Sequence, residues 1–326
     1  MTSTSAAALA CAAALAGCGG PQSALDPAGE GAARIDALFR AMAVGALAVW
    51  AAVAALTVYA VRADPASQHR GRRAALIVGG GVALPTAALT ALLAYGLALI
   101  PPLVAPAPAG SLRVRVTGEQ WWWRVRYPTP NGDVELANEL HLPRAEPADL
   151  ALDSADVIHS FWAPSLGGKL DMFAGRPTRL ALRPTRDGVF RGVCAEYCGE
   201  SHALMAFHVV VEPRADFDRW LAHQAESARP PNSPLAAHGA ERFLAHGCGA
   251  CHAVRGTLAG GTVGPDLTHV GGRHGLAAAT LANEPAGFAR WITHATSVKP
   301  GALMPSFGML PGDDVRAIAA YLEGLR

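Results

Sequence analysis

Between Ala41 and Val61, and again between Ala74 and Ile100, the chain carries no charged residue. Runs this long have few structural options. About 20 consecutive apolar residues span the hydrocarbon core of a bilayer, and there only a helix satisfies its own backbone. A pair of buried core helices is the competing reading, but both runs are too long and too evenly apolar for it. Pro85 interrupts the second run and is expected to kink it. Composition agrees: 51% of residues are hydrophobic and only 16% are charged, apolar for a soluble protein. Arg62, Arg70, Arg72 and Arg73 lie between the runs, whereas "PPLVAPAPAGS" after the second carries no charge. The positive-inside rule puts the short loop in the cytoplasm and both chain ends outside. The membrane is therefore the first expected partner. A formal net charge of +1 without a basic run gives nucleic acid nothing to bind.

The N-terminal stretch ends in Leu15-Ala16-Gly17-Cys18, which resembles the lipobox of a bacterial lipoprotein signal. Residues 1–18 are read as that signal peptide, with Cys18 lipidated, although a basic leader is missing. Residues 19–34, rich in Gly, Ala and Pro, are expected to be a flexible periplasmic tether, and residues 35–101 a transmembrane hairpin.

From about Leu112 to Pro213 the pattern changes to short β-rich or alternating segments such as "LRVRVTG", "ELHLP" and "AFHVVVEP", separated by Pro, Gly and Asp. That predicts an all-β sandwich or barrel. Inside it lies Cys194-x-Glu196-x-Cys198-x3-His202-x2-Met205, with His159 upstream in "DVIHSFW". Thiolates, imidazoles and a thioether form a soft to borderline donor set that suits copper and excludes magnesium or calcium as the main occupant. Structural zinc would gain little from Met205. A mononuclear copper site would leave one cysteine idle, and a Cys194–Cys198 disulfide would leave both histidines unexplained.

"GEQWWWRVRY", "DVIHSFWAPSLGGKLDMFAGR" and "CAEYCGESHALM" resemble subunit II of cytochrome c oxidase, over roughly residues 35–222. The resemblance implies a cupredoxin barrel at 110–222 with a dinuclear copper centre. It implies that Cys194 and Cys198 bridge both coppers, that His159 and Met205 complete one, and that His202 and the backbone carbonyl of Glu196 complete the other. It further implies that the Glu196 carboxylate reaches a magnesium ion shared with subunit I, and that electrons enter through Trp121. Trp122 and Trp123 are read as core or interface aromatics. One departure stands out. Where the family often carries a glutamate before the second helix, this chain reads "SQHRGRRAALIV", with His69 a weak substitute and proton entry through this subunit in doubt.

Residues 223–235 form a Pro-rich linker, and 236–326 a helical, Gly-rich domain. This domain opens with Cys248-Gly249-Ala250-Cys251-His252, the attachment signature of haem c. The alternative, a redox Cys-x-x-Cys, lacks its βαβ setting. Cys248 and Cys251 are expected to hold the porphyrin and His252 to ligate the iron. A Met is expected as the second axial ligand, raising the potential, and "KPGALMPSFGML" resembles the Met-Pro loop of class I cytochromes c, which implies Met304; Met309 is assigned to the core. "GTVGPDLTHVGGR" resembles class I cytochromes c, in which the carbonyl matching Pro265 would receive the Nδ1–H of His252. His246, His269, His274 and His294 are expected at the surface or around the site.

Together these readings imply a multidomain subunit II of a haem–copper terminal oxidase in the bacterial inner membrane. Both redox domains would be periplasmic. Subunit I, other oxidase subunits and a c-type cytochrome donor would be its partners, and oxygen would be reduced with proton pumping in subunit I. The rival functions are a quinol oxidase subunit, which would lack the copper ligands, and a membrane-anchored carrier for another periplasmic reductase.

Overall fold

The computed structural model describes residues 18–63, 70–130 and 132–326. The lipobox residues 15–17 and His69 lie outside them. The chain divides into residues 33–105 and a second unit formed by the described part of 1–32 with 106–326.

The first unit is helical. Helix α1, Glu30–Arg62, has Glu30 in its first turn and Arg62 in its last, both favourable to the helix dipole. The second apolar run forms α2, Arg70–Ala75, a π-helical stretch, Leu76–Ala83, and α3, Leu84–Val104. Pro85 falls in the first turn of α3. Its missing N–H and its ring cannot join a regular i to i−4 ladder. The wider turns over Gly79, Gly80 and Gly81 absorb that break. Both spans are long and apolar enough to cross a membrane and bury little of their surface within the chain. Trp50 is 69% exposed and Ile77 67%, a cost in water that lipid removes. Leu38 and Met42 of α1 share an apolar groove with Leu89 and Leu93 of α3.

The second unit holds two domains. Among the described residues, ten strands form two five-stranded sheets. One sheet runs β3 (Gly132–Ala137), β2 (Trp122–Thr129), β1 (Leu112–Glu119), β5 (Ala148–Ser154), β8 (Thr178–Leu182). The other runs β4 (Glu139–Pro143), β10 (Ala206–Glu212), β9 (Gly188–Cys194), β6 (His159–Trp162), β7 (Leu170–Met172). β1 pairs parallel with β5, and β4 with β10; the other ladders are antiparallel. This is the all-β sandwich that the alternation predicts, and it is cupredoxin-like as the resemblance implies. Val114, Val116, Leu150 and Leu152 point inward from one sheet, and Phe161, Phe207 and Val209 from the other. Each such side chain contributes about 1.5–3 kcal/mol by leaving water. Tyr127 ties the strands polarly: its hydroxyl donates to the His141 carbonyl at 2.9 Å and accepts from the His141 N–H at 2.7 Å.

Helix α4, Arg214–Gln224, closes the sandwich, with Trp220 stacked on His141 at 3.6 Å. The C-terminal domain packs α5, Pro234–Ala245, and α6, Pro285–Val298, on α7, Gly312–Gly324, around Phe243, Phe288, Ile318 and Tyr321. Ser233 caps α5 by accepting from the Ala236 N–H. Gly239 is required where α5 crosses α7, because a Cβ there would run into the Ala317 carbonyl.

The segment expected to be a flexible tether is fastened, and so is the start of the linker. Residues 18–29 run along the β domain: the Ala28 N–H donates to Ser165 at 2.6 Å, the Arg191 N–H to Pro21 at 2.8 Å, and Ala28 is fully buried. Small residues therefore serve close packing here, since Gly29 lies hard against the Leu166 backbone, and this stretch is not a flexible tether. The start of the linker is held too. The Arg255 guanidinium donates to the Gln224 carbonyl at 2.5 Å and to that of Glu226 at 3.2 Å.

Candidate copper and haem sites

The β9–β10 connection brings the soft donors together. β9 ends at Cys194, a 3-10 turn covers His202–Leu204, and Met205 precedes β10. His159 opens β6, which pairs with β9 through Phe161 and Cys194. The Cys194 Sγ is 3.8 Å from His159 Nδ1, and the Cys198 Sγ is 3.5 Å from His202 Nδ1 and 3.7 Å from Met205 Sδ. Donors bonded to a metal at about 2.0–2.3 Å in tetrahedral array stand about 3.3–3.8 Å apart. The spacing therefore fits metal ions between these groups. Cys194 also lies 3.1 Å from the Glu196 carbonyl oxygen. The Glu196 side chain is exposed.

Both sulfurs are free and buried, which corresponds to the metal reading and not to a disulfide. The neighbouring Cys198, with His159, holds the Cys194 thiol well below its ordinary value. The Cys194 thiolate and burial push Cys198 up. His159 is fully buried, and its outer nitrogen donates to Asp156 at 2.8 Å. That bond fixes the tautomer and leaves Nδ1 as the free donor atom. Asp156 is a residue that sequence reasoning missed: it lies three positions before His159 in an ordinary-looking turn. Trp123 is core, 1% exposed, with its ring against His159 and its indole N–H directed at the Met205 carbonyl at 3.4 Å. Trp122 lies under the Arg124 guanidinium, 4.6 Å away. Trp121 is only 8% exposed, and its indole N–H donates to the Cys198 carbonyl at 2.9 Å. Gln120 donates to the same oxygen at 2.8 Å.

In the C-terminal domain Cys248–Ala250 form a 3-10 turn, and the His252 N–H closes it on the Cys248 carbonyl at 3.1 Å. The His252 Nδ1–H donates to the Pro265 carbonyl at 2.8 Å, as expected from the motif. Nε2 is left free to act as a donor atom. Gly264 lies against the imidazole where no Cβ would fit. Met304 is half-buried on the edge of this domain's core. Met309 is not core: it is 78% exposed, because residues 308–311 turn outward before α7. Leu258, Val263 and Leu303 are also exposed apolar groups, on the loops flanking the motif and Met304. The two thiols, the oriented imidazole and this apolar surface fit a covalently attached porphyrin. His246 is a surface partner of Asp314, at 2.7 Å, whereas His269 is buried and bonded to the Glu226 carbonyl.

A family profile described as cytochrome c oxidase subunit II, periplasmic domain, matches residues 129–213, and one described as cytochrome c matches residues 236–326. The chain thus carries a domain of the cytochrome c oxidase subunit II periplasmic family, followed by a cytochrome c domain. It is similar to cytochrome c oxidase subunit 2 of Alkalihalophilus pseudofirmus, 36% identical over 213 residues, covering 65% of this chain and 61% of that protein. The similarity to cytochrome c oxidase subunit 2 of Bacillus subtilis is 32% over 226 residues, covering 66% and 63%. A crystal structure of the periplasmic domain of subunit II of the Bradyrhizobium japonicum oxidase matches with 30% identity and a TM-score of 0.35, over 36% of this chain and 96% of that one. The match spans just over three-fifths of the length of these two curated relatives. Both matched domains, the subunit II sandwich and the cytochrome c fold, lie in one compact unit of the structure.

Proposed function

We propose that this chain is the electron-carrying subunit II of a haem–copper terminal oxidase, taking electrons from a c-type donor and delivering them to subunit I. Reduction of oxygen to water and the accompanying proton pumping belong to subunit I in this reading. The observation that carries it is the convergence of two free, buried sulfurs with His202 and Met205 of the β9–β10 connection and His159 of β6, in a chain that also holds a haem-attachment turn.

When bound, a dinuclear copper centre and haem c supply one-electron redox chemistry with little rearrangement. Cys194 and Cys198 would bridge the coppers. His159 with Met205, and His202 with the Glu196 carbonyl, would complete the two ions. The Glu196 carboxylate, exposed, would be available to a magnesium ion at the subunit I boundary. Cys248 and Cys251 would hold the porphyrin, with His252 and Met304 on the iron. The chain's own contribution is rigidity and orientation: Asp156 holds His159, Pro265 holds His252, and the sandwich fixes the loop between them. Trp121, bonded to the Cys198 carbonyl, is assigned as the residue through which electrons enter. The two apolar helices would anchor the chain in the bacterial inner membrane with both redox domains in the periplasm, and Cys18, exposed, would carry the lipid.

The test is Cys198→Ser in the purified complex. Loss of the copper centre's visible and near-infrared bands, with the large multi-haem subunit still co-purifying, is the expected result. Retained bands would refute bridging, and isolation of the chain free of any oxidase subunit would refute the assembly.

A further inference from the structure

The C-terminal domain does not hang from the β domain; it closes over one residue of it. Lys299, at the end of α6, is a lysine only 3% exposed. Its ammonium donates to the Trp121 carbonyl, and to that of Ala277 at 3.4 Å. Next to it the Pro300 carbonyl accepts from the Ser201 hydroxyl at 2.6 Å. Gly301, with φ +75°, lies flat on the indole: a Cβ there would stand 2.5 Å from one ring carbon of Trp121. Gly199 also approaches the same ring, its Cβ position 3.0 Å from Cζ2. Elsewhere on the boundary the His274 N–H donates to buried Glu139 at 2.8 Å.

A buried ammonium costs several kcal/mol unless it is bonded, and burial pushes Lys299 down to about 7 even with Cys198 nearby. A lysine held this way in a loose boundary would swing out to water. Its burial against two carbonyls, on a turn whose glycine has no room for a side chain, marks a fitted contact.

We propose that the Lys299–Gly301 turn is a built-in plug, which seals the indole face of Trp121 under the loop that bears Met304 and so bars an outside protein donor from docking over the thiolate loop. Its functional meaning rests on the reading given above for Cys194, Cys198 and the haem motif. The closure itself depends only on contacts within the polypeptide. The fused domain then works as a fixed conduit in front of the thiolate loop and not as a tethered shuttle.

The test is hydroxyl-radical footprinting of the full chain in its purified complex, read by mass spectrometry at each tryptophan. Trp121 of the wild type should oxidise as slowly as core Trp123. Gly301→Val and Lys299→Met should raise oxidation several-fold at Trp121 and leave Trp123 unchanged. If either variant misfolds, Trp123 rises with Trp121, and the milder Ser201→Ala decides by the same comparison. A wild-type Trp121 several-fold more reactive than Trp123, or no selective rise in a folded variant, would overturn the plug. In stopped flow with a soluble ferrous c-type cytochrome, each encounter delivers one electron. The copper bands should bleach only after the haem bands in the wild type, and simultaneous bleaching would contradict the proposal. Absence of copper from the chain would sink the functional reading but leave the footprint to judge the plug.

Discussion

Asp156→Asn isolates how the fold prepares a metal donor. The Asp156 carboxylate accepts three bonds: His159 Nε2–H at 2.8 Å, the Val157 N–H at 2.7 Å and the Gln120 N–H at 2.7 Å. Asparagine is nearly isosteric but has one acceptor oxygen and one NH2 group. All three partners are donors, so at least one must face the NH2. The backbone N–H groups cannot change. With the amide nitrogen in place of Oδ2 it faces the Gln120 N–H and His159 loses only the carboxylate's charge; with it in place of Oδ1, which His159 shares with Val157, the imidazole moves its proton from Nε2 to Nδ1, the atom 3.8 Å from the Cys194 sulfur. That tautomer is useless as a ligand. A charge-assisted hydrogen bond contributes about 1.5–3 kcal/mol, and lost support of a ligating histidine costs about 10–100-fold in metal affinity; the two estimates agree. The assay is copper uptake by the metal-free chain against a competing chelator, alongside thermal unfolding of the metal-free protein. Affinity should fall by one to two orders of magnitude, while the metal-free midpoint moves little, because Asp156 is partly exposed. Unchanged affinity would show that the Asp156 contact does not set the tautomer.

Three further outcomes are expected. Glu139→Gln should flatten the acid side of the stability profile. Burial opposes ionisation of Glu139, but bonds from His141 and His274 bring it below its ordinary value near 4.5, so its contribution is present above that value and lost as pH falls. His141 is disfavoured by burial yet raised above its ordinary 6.5 by Glu139 and Glu212, so its contribution is present below 6.5 and lost as pH rises. Urea melts from pH 3 to 9 would show this, and a variant as acid-sensitive as the wild type would contradict it. Met304→Ala should leave haem attached through Cys248 and Cys251 while lowering its potential, read by redox titration; an unchanged potential would exclude Met304 as the ligand. Gly239→Ala should lower stability by about 1–3 kcal/mol by forcing α5 off α7, and a thermal midpoint equal to the wild type's would refute that crossing as a tight contact.

What the sequence made legible was local. Cys194 to Met205 and Cys248 to His252 each sit within one turn or loop, so spacing alone exposes their chemistry, and the two uncharged runs declare their helices by length. The β domain followed from alternation, although its two parallel pairings did not. Residues that act across the fold left no such trace. Lys299 meets Trp121 across 178 positions, Glu139 meets His274 across 135, and nothing in "ATSVKPG" distinguishes a fitted lysine from a solvated one. Gly and Ala near the N-terminus signalled a loose tether because composition reports freedom in the open chain; in the fold the same small residues allow close contact with Leu166. Met309 reads as core by type, yet the turn before α7 faces it outward.

The central claim is that two sulfurs from one loop hold a pair of copper ions in a chain that also binds one haem. The direct measurement is the copper, zinc and iron content of the purified full chain, with its thiols counted by mass spectrometry. The account predicts two copper atoms for each covalently bound haem and no bond between Cys194 and Cys198. Zinc in stoichiometric amount, or those two sulfurs joined to each other, would contradict it.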